Sequence, residues 1–469
     1  MNETMCVQRI FIFVVGLMCL FVQAKDKDEL HFNFSAKGDR YISPKSYPDQ
    51  LDQYLNIQSQ ITVQKEYKYI FYNTDIRMLI SLDESEQYFV SVPYANVGYK
   101  LEDIQTLSFL NSIHASIGRS KNHWSWMDSY WELGLWNPRN VFDYFNPEEL
   151  GIVGSVVTAK GDQWSLTSLI GGVFIPNEQS AMGKNKAGAF KSKSRWATPP
   201  ASNLSILDKK LNSYYWVQEP YLTNVLFQGS YLFNAFLGDK KDKWISFSYA
   251  HKPLNQNFYR VKSGIKIDES SKSFLDSAIY HHSFKHRLVN VESGLKWNRW
   301  TVELGLMDED LDPIDLPDNW MVPNVPDNVF FTSASVSADF SPVSWNRNVV
   351  RVAYLRSWIE ENDNSSLIGG NIDNLVSLMR FKLREGIAID WDTRFSWEGI
   401  NKVHSFLRYW YAIDQKGGWL QWKLSYLFHS QLQLLFELIV IGSIEDEKKG
   451  FFTWYGNNDR LSLKVQYGF

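Results

Sequence analysis

The pair of residues best placed to do chemistry is His114 and Ser116, in "IHASIGRSKNHWSW". Residues two apart on a strand share a face, so the serine could serve as nucleophile and the histidine as its base. The surrounding pattern opposes a lipid-cleaving role. His114 and Ser116 fall with Ser108 and Ser112 on the polar side, while Leu107, Phe109, Ile113 and Ile117 take the other. A nucleophile that must reach lipid belongs on the apolar side, so an ordinary polar histidine and serine is the better reading. Asp308, Asp310 and Asp312 have the spacing that opens an EF-hand loop. Pro313 stands where that loop needs glycine and Asn319 where it needs a bidentate glutamate, which leaves only loose divalent-ion binding. The sequence holds no phosphate-cradling loop, HExxH or Cys/His cluster, so no catalytic residue, metal set or cofactor is expected.

The elements that would position such residues are alternating strands. In the terminal "RLSLKVQYGF", Leu461, Leu463, Val465, Tyr467 and Phe469 share one face and Arg460, Ser462, Lys464, Gln466 and Gly468 the other. Ile387, Ile389, Trp391, Phe395 and Trp397 likewise oppose Asp390, Asp392 and Arg394. Leu375, Met379, Phe381 and Leu383 oppose Arg380, Lys382 and Arg384. Leu420, Trp422, Leu424, Tyr426 and Phe428 oppose Gln421, Lys423 and Ser425, and Trp300, Val302, Leu304 and Leu306 oppose Thr301 and Glu303. Many of these runs reach about ten residues, the length a tilted strand needs to cross a bilayer.

Composition points the same way. A formal charge of −4 over 469 residues opposes nucleic-acid binding. Nineteen Trp and 24 Tyr suit the aromatic girdles of a membrane barrel. Arg9 followed by an apolar run from Ile10 to Val22 and by Val22-Gln23-Ala24 predicts a cleaved signal peptide over 1–24. Met18 before Cys19 is not the small residue a lipoprotein site prefers. Cys6 and Cys19 both lie in this leader, so the mature chain has no thiol and no disulfide.

Counted back from Phe469 as periplasmic, short joints fall near 444–450, 416–418, 385–386, 342–345, 297–299, 238–242 and 160–162. External joints fall near 456–459, 430–431, 399–402, 360–370, 309–327, 254–280, 176–221 and 119–149. Strands near 105–118, 86–99, 68–81, 54–64 and 29–36 complete one all-β domain over 25–469, an antiparallel up-and-down barrel of about 18–20 strands. The first strand follows the leader so closely that no plug domain fits before it, which argues against an energy-coupled transporter.

The leader, the cysteine-free chain, the long strands and the terminal "KVQYGF" together resemble a bacterial outer-membrane β-barrel of the large porin or exporter-like class, with no subfamily identified. "ELGLWNPRNVFDYFNPEELG" is similar to Asn-Pro-containing stretches of some such barrels. The resemblance implies a Gram-negative outer-membrane location, with outer-membrane lipid and lipopolysaccharide as surroundings. It also implies that Leu463, Val465, Tyr467 and Phe469 form the signal read by the barrel-assembly machinery. The His114-x-Ser116 stretch looks like that of outer-membrane phospholipase A, but the chain is much longer than that enzyme type needs.

The expected function is a passive channel for small hydrophilic solutes. Arg380, Lys382, Arg384, Asp390, Asp392, Arg394, Arg408, Lys423, Glu437 and Lys464 would line the lumen and set a transverse field across it. The loop 119–149, with Trp124, Trp126, Trp131, Trp136, Phe142, Tyr144 and Phe145, would form a constriction or a cap, or stack on sugar rings. Lys184, Lys186, Lys191, Lys193 and Arg195 in the loop 176–221 would grip lipopolysaccharide phosphates or attract anionic solutes, or simply be solvated. The alternatives are a non-transport surface barrel whose external loops bind a partner, and, remotely, a phospholipase-like enzyme.

Overall fold

In the computed structural model the sheet closes on itself. The structure describes residues 29–468 except 47–48, 83–87, 103–108, 180–182, 185–189, 197–202, 207–208, 219–225, 257, 268–272, 313–327, 342–345, 361–380, 398–399, 429–430 and 444–450. The predicted leader and the terminal Phe469 lie outside the described residues.

Eighteen strands form the wall. The first six are β1 (Glu29–Tyr41), β2 (Gln53–Tyr67), β3 (Ile70–Ser81), β4 (Tyr88–Glu102), β5 (Ser112–Ser120) and β6 (Ile152–Lys160). Then come β7 (Trp164–Gly171), β8 (Ser230–Gly238), β9 (Lys243–Pro253), β10 (Lys285–Trp297), β11 (Trp300–Leu311) and β12 (Asn328–Asp339). The last six are β13 (Arg347–Glu360), β14 (Glu385–Trp397), β15 (Ile400–Ala412), β16 (Gly417–Leu427), β17 (Leu432–Ser443) and β18 (Arg460–Gly468). Each pairs antiparallel with its chain neighbours, and β18 closes onto β1 in a register that sets Lys464 opposite Lys37 and Val465 opposite Ala36. Closure leaves no unpaired strand edge, which is the condition for strands to stand in lipid.

The two faces separate as the alternation requires. Leu461, Leu463, Val465 and Tyr467 are exposed on the outside of β18, while Arg460 and Ser462 are buried within. Ile387, Ile389, Trp391 and Phe395 point outward from β14, and Asp390 points inward. The outer belt is apolar around the wall, with Tyr67, Trp297 and Trp300 beside short turns and Phe330 and Trp358 near the opposite rim. A continuous exposed apolar surface of this kind is a lipid-facing one.

The connections segregate. The turns at 68–69, 161–163, 239–242, 298–299 and 428–431 lie at one end. The loops 121–151, 172–229, 254–284, 312–327, 361–384 and 444–459 lie at the other. From residue 361 onward the ends differ from those expected. The wall has 18 strands, within the expected 18–20, and the joints near 430 and 399 fall at the short-turn end while 413–416 falls at the long-loop end; most of the expected strand over 375–384 lies outside the described residues. The segment 451–455 is a helix whose Phe451, Phe452 and Tyr455 are buried, and Phe381 and Leu383 are buried rather than outward. Phe451 packs on Phe145 of the loop 121–151, Phe452 on Trp419 of β16 and Phe381 on Phe331 of β12, so these apolar side chains turn into the barrel and not to lipid.

Cys6 and Cys19 both precede the described residues, so single cysteines introduced into the barrel report this orientation. We expect Ile265→Cys, at the long-loop end, to react with a membrane-impermeant maleimide on intact cells and Lys240→Cys to stay unlabelled until the outer membrane is opened. Equal labelling of the two would contradict the assignment of ends.

Candidate functional site: the lumen and its inward loop

The connection 121–151 does not stand above the barrel. It enters the lumen and is bonded to two separate stretches of wall. Ser125 caps a short helix, α1 (Trp126–Trp131), by accepting from Asp128 N at 3.0 Å. The remaining free amides of that first turn meet the wall. Glu292 on β10 accepts from Trp126 N at 2.9 Å, Met127 N at 2.9 Å and Ser125 Oγ at 2.7 Å. An acidic group there answers the unsatisfied N–H groups of a helix start. Ser248 Oγ donates to Trp124 O, Trp131 Nε1 to Ser333 Oγ at 2.7 Å, and Asn255 to the carbonyls of Gly134 and Leu135. These partners fix one end of the loop to β9–β12 and the base of the following connection.

The loop also holds itself. Asp128 is buried and accepts from Leu135 N at 2.8 Å, while Arg139 Nη2 donates to Asp128 O at 3.0 Å. Burial lifts the Asp128 carboxyl above its usual range against the pull of Arg139.

Its far end is tied to β16–β18. Arg460 donates to Asp143 at 2.6 Å and to Glu437 at 3.2 Å; Asn146 donates to Glu437 at 3.0 Å, and Gln421 to Phe145 O at 3.3 Å. Burial pushes the Asp143 carboxyl up, but Arg460 and then Lys37 outweigh it and hold the group well below the usual carboxylate range.

Aromatic packing fills one side of the lumen. Trp131 lies 5.3 Å from Trp410, Trp410 lies 4.3 Å from Trp419, and Phe145 lies 5.1 Å from Trp419. Tyr144 meets Tyr455 at 5.1 Å and Phe142 meets Phe89 at 4.4 Å. Trp124 and Trp136 are buried and stacked, and Trp126 stacks on Tyr130. Each such ring pair adds about 0.5–1.5 kcal/mol beyond area burial.

Seven of the ten charges expected in the lumen fall into three ion-paired groups. Asp390 accepts from Arg408 Nε at 2.9 Å, and Arg408 reaches Glu132 at 3.6 Å while lying over the rings of Tyr130 and Trp410. Lys382 also pairs with Glu132, although it comes from a loop and not a strand, and burial holds its ammonium below the usual range. Asp392 sits amid Arg347 at 3.2 Å, Arg394 at 3.6 Å and His404 at 2.9 Å, and Glu437 faces Lys423 at 3.7 Å. Lys464 opposes Lys37 across the seam. Arg384 is partly buried just before β14, and Arg380 lies outside the described residues.

The inner wall from β2 to β7 is different in kind. Gln60, Asn73, Asn96, His114, Ser116, Thr158 and Thr167 are partly exposed there. His114 and Ser116 thus face the lumen, and Ile117 faces outward. Within the loop 121–151 itself lies a pocket of about 330 Å³ lined by Lys121, Ser129, Glu132, Arg139, Pro147, Glu148 and Glu149.

Other expectations fall elsewhere. Arg195 is not a surface cation but a buried clasp that donates to Asp52 at 2.7 Å, Leu51 O, Pro44 O and Asn457 O. Lys191 pairs with Asp49 and the Lys193 carbonyl accepts from Leu51 N, while the side chains of Lys184 and Lys186 lie outside the described residues. Asp308, Asp310 and Asp312 are engaged by Asn328, Arg287 and His251. Sequence reading missed Glu292, Asp128, Arg139, Glu132 and Arg77, and only the Ser125 start of α1 carried a local signal.

No protein-family model matches the chain, and no curated protein matches it. Among solved structures, Pseudomonas aeruginosa OccK9 (OpdG) is similar at 11% identity and TM-score 0.48, over 94% of this chain and 97% of that one. Pseudomonas aeruginosa OccK5 (OpdH) follows at 10% and 0.47, over 94% and 97%, and a Rh. blastica porin mutant at 7% and 0.40, over 94% and 100%.

Glu292→Ala would leave two amides and a hydroxyl without their acceptor, at a cost of about 3 kcal/mol or more. We expect trypsin to cut the folded variant after Arg139 and to spare the parent. Asp143 is held low, so its contribution is complete above its unfolded value of about 3.9 and is lost as pH falls through the folded one. The Asp143 share of loop protection, read as the difference between the parent and Asp143→Asn, should therefore be flat from pH 8 to about 4 and decline only below it.

Proposed function

We propose that the chain is a passive, porin-like channel of the outer membrane for small hydrophilic solutes, narrowed by the loop 121–151. The observation that carries this reading is a loop bonded to two stretches of wall beside a third, polar and partly exposed, stretch. Hydrated solutes pass such a surface without a cofactor or a reacting group.

Exposure weights the β13–β16 side of the lumen toward fixed cations. The side chains of Arg347, Arg394, His404 and Lys423 are 51, 40, 39 and 35% exposed, whereas those of Asp392 and Glu437 are 15 and 3%. Anions are therefore favoured along that side, whereas Glu66 and Glu102 on β2 and β4, 57 and 56% exposed, favour cations on the other. Two further parts of the proposal concern partners. The outward Leu463, Val465 and Tyr467, with Phe469, would be read by the barrel-assembly machinery, and lipopolysaccharide would surround the long-loop rim.

A second reading, a surface barrel that binds through its external loops, is favoured by one feature. Four strands (Asn203–Ile206, Lys209–Gln218, Phe258–Ile267 and Ser273–His282) build a separate sheet from two long loops, with Trp216 47% exposed.

Single-channel recording on the refolded mature chain separates the two. The channel reading expects discrete steps whose anion-over-cation permeability ratio falls in Arg347→Gln/Arg394→Gln. A folded barrel that stays silent would sink it and leave the external sheet as the functional surface.

A further inference from the structure

The pocket on the loop 121–151 has a composition that the channel reading does not require. Three carboxylates, Glu132, Glu148 and Glu149, line it together with two cations, Lys121 and Arg139. They are not equivalent. Arg77 pairs with Glu148, and Glu149 accepts from Ser129 Oγ at 2.9 Å with Arg139 at 3.6 Å. Glu132 takes Lys382 and Arg408. Lys121 is exposed and makes no ion pair among the described residues. Arg139 is 3% exposed, and its buried Nε has no hydrogen-bond partner. The pocket thus offers an ammonium outside any ion pair of the described residues and a guanidinium whose Nε is unbonded on one hand, and three carboxylates on the other.

Position and size narrow the ligand. Arg77 on β3 and Arg408 on β15 reach the lining carboxylates, so the pocket lies within the lumen. About 330 Å³ is at the small end of ligand sites, which run about 300–1,000 Å³. Burial lifts the Glu148 carboxyl above its usual range, against Arg77 and Lys121, so another cation beside it is favourable.

We propose that this pocket is a binding site for a small zwitterion of amino-acid or dipeptide size, with its carboxylate on Lys121 and Arg139 and its ammonium on Glu148 and Glu149. A molecule carrying both charges satisfies both sets at once, whereas a lone anion meets three carboxylates and a lone cation meets Lys121. The proposal rests on the channel reading only for the claim that solutes reach the pocket through the lumen.

Titration calorimetry on the folded barrel in detergent tests binding apart from conduction. The probes are alanylalanine, its N-acetyl derivative and its C-terminal amide. We expect the dipeptide to bind about tenfold more tightly than either singly charged analogue, one charge-assisted contact being worth about that factor. Lys121→Gln, at an exposed position that should not disturb folding, should remove the advantage over the amide and keep that over the acetylated form. Glu149→Gln should do the reverse. Equal binding of the three probes, tighter binding of one singly charged analogue, or no heat with any would overturn the site. A silent barrel in salt that still binds the dipeptide would sink the channel reading and spare the pocket.

Discussion

The Glu292 carboxylate determines what the lumen is. Without it, the first turn of α1 would leave its amides buried with no acceptor, and the loop 121–151 would have no fixed point on β10. With it, the loop is aimed across the barrel, and Asp143 and Asn146 reach Arg460 and Glu437 on β17–β18. Buried charge pairs of this kind add little net stability over apolar packing, but removing one partner is costly. Their effect here is geometric: a long connection takes one path, and the aromatic rings at 131, 145, 410 and 419 pack around that path.

Barrel and loop depend on each other through the same residues. Inward positions of β10, β12, β16 and β18 are polar, yet Glu292, Ser333, Gln421 and Arg460 are nearly inaccessible to water. Those side chains meet loop groups, whereas Gln60, Asn96 and Thr158 on the other side of the lumen remain partly exposed. The split between a packed half and a wetted half follows from where the loop docks. The zwitterion pocket lies at the boundary, where loop carboxylates meet wall cations.

Much of this was legible in the sequence, and the reason is periodicity. The alternation in β11, β14, β16 and β18 assigned their faces residue by residue, because the pleat leaves two orientations only. The closed sheet and the long loops at one end followed from counting. The reading of outward faces failed at Phe381, Leu383 and 451–455, where apolar side chains are buried inside the barrel. Arg195 was misread for a related reason: its charge looked solvent-facing, but its partners at 43–52 and 457 are far along the chain. Glu292 could not be singled out, since an inward glutamate on a strand is ordinary until the loop that needs it is in place.

The most direct test of the account is single-channel conductance in the presence of neutral polymers of graded radius. The account predicts that only polymers far narrower than an empty 18-stranded lumen lower the current, because the docked loop excludes the rest. Passage of polymers as wide as the unobstructed barrel would show that the loop does not narrow the lumen, and the central claim would fail.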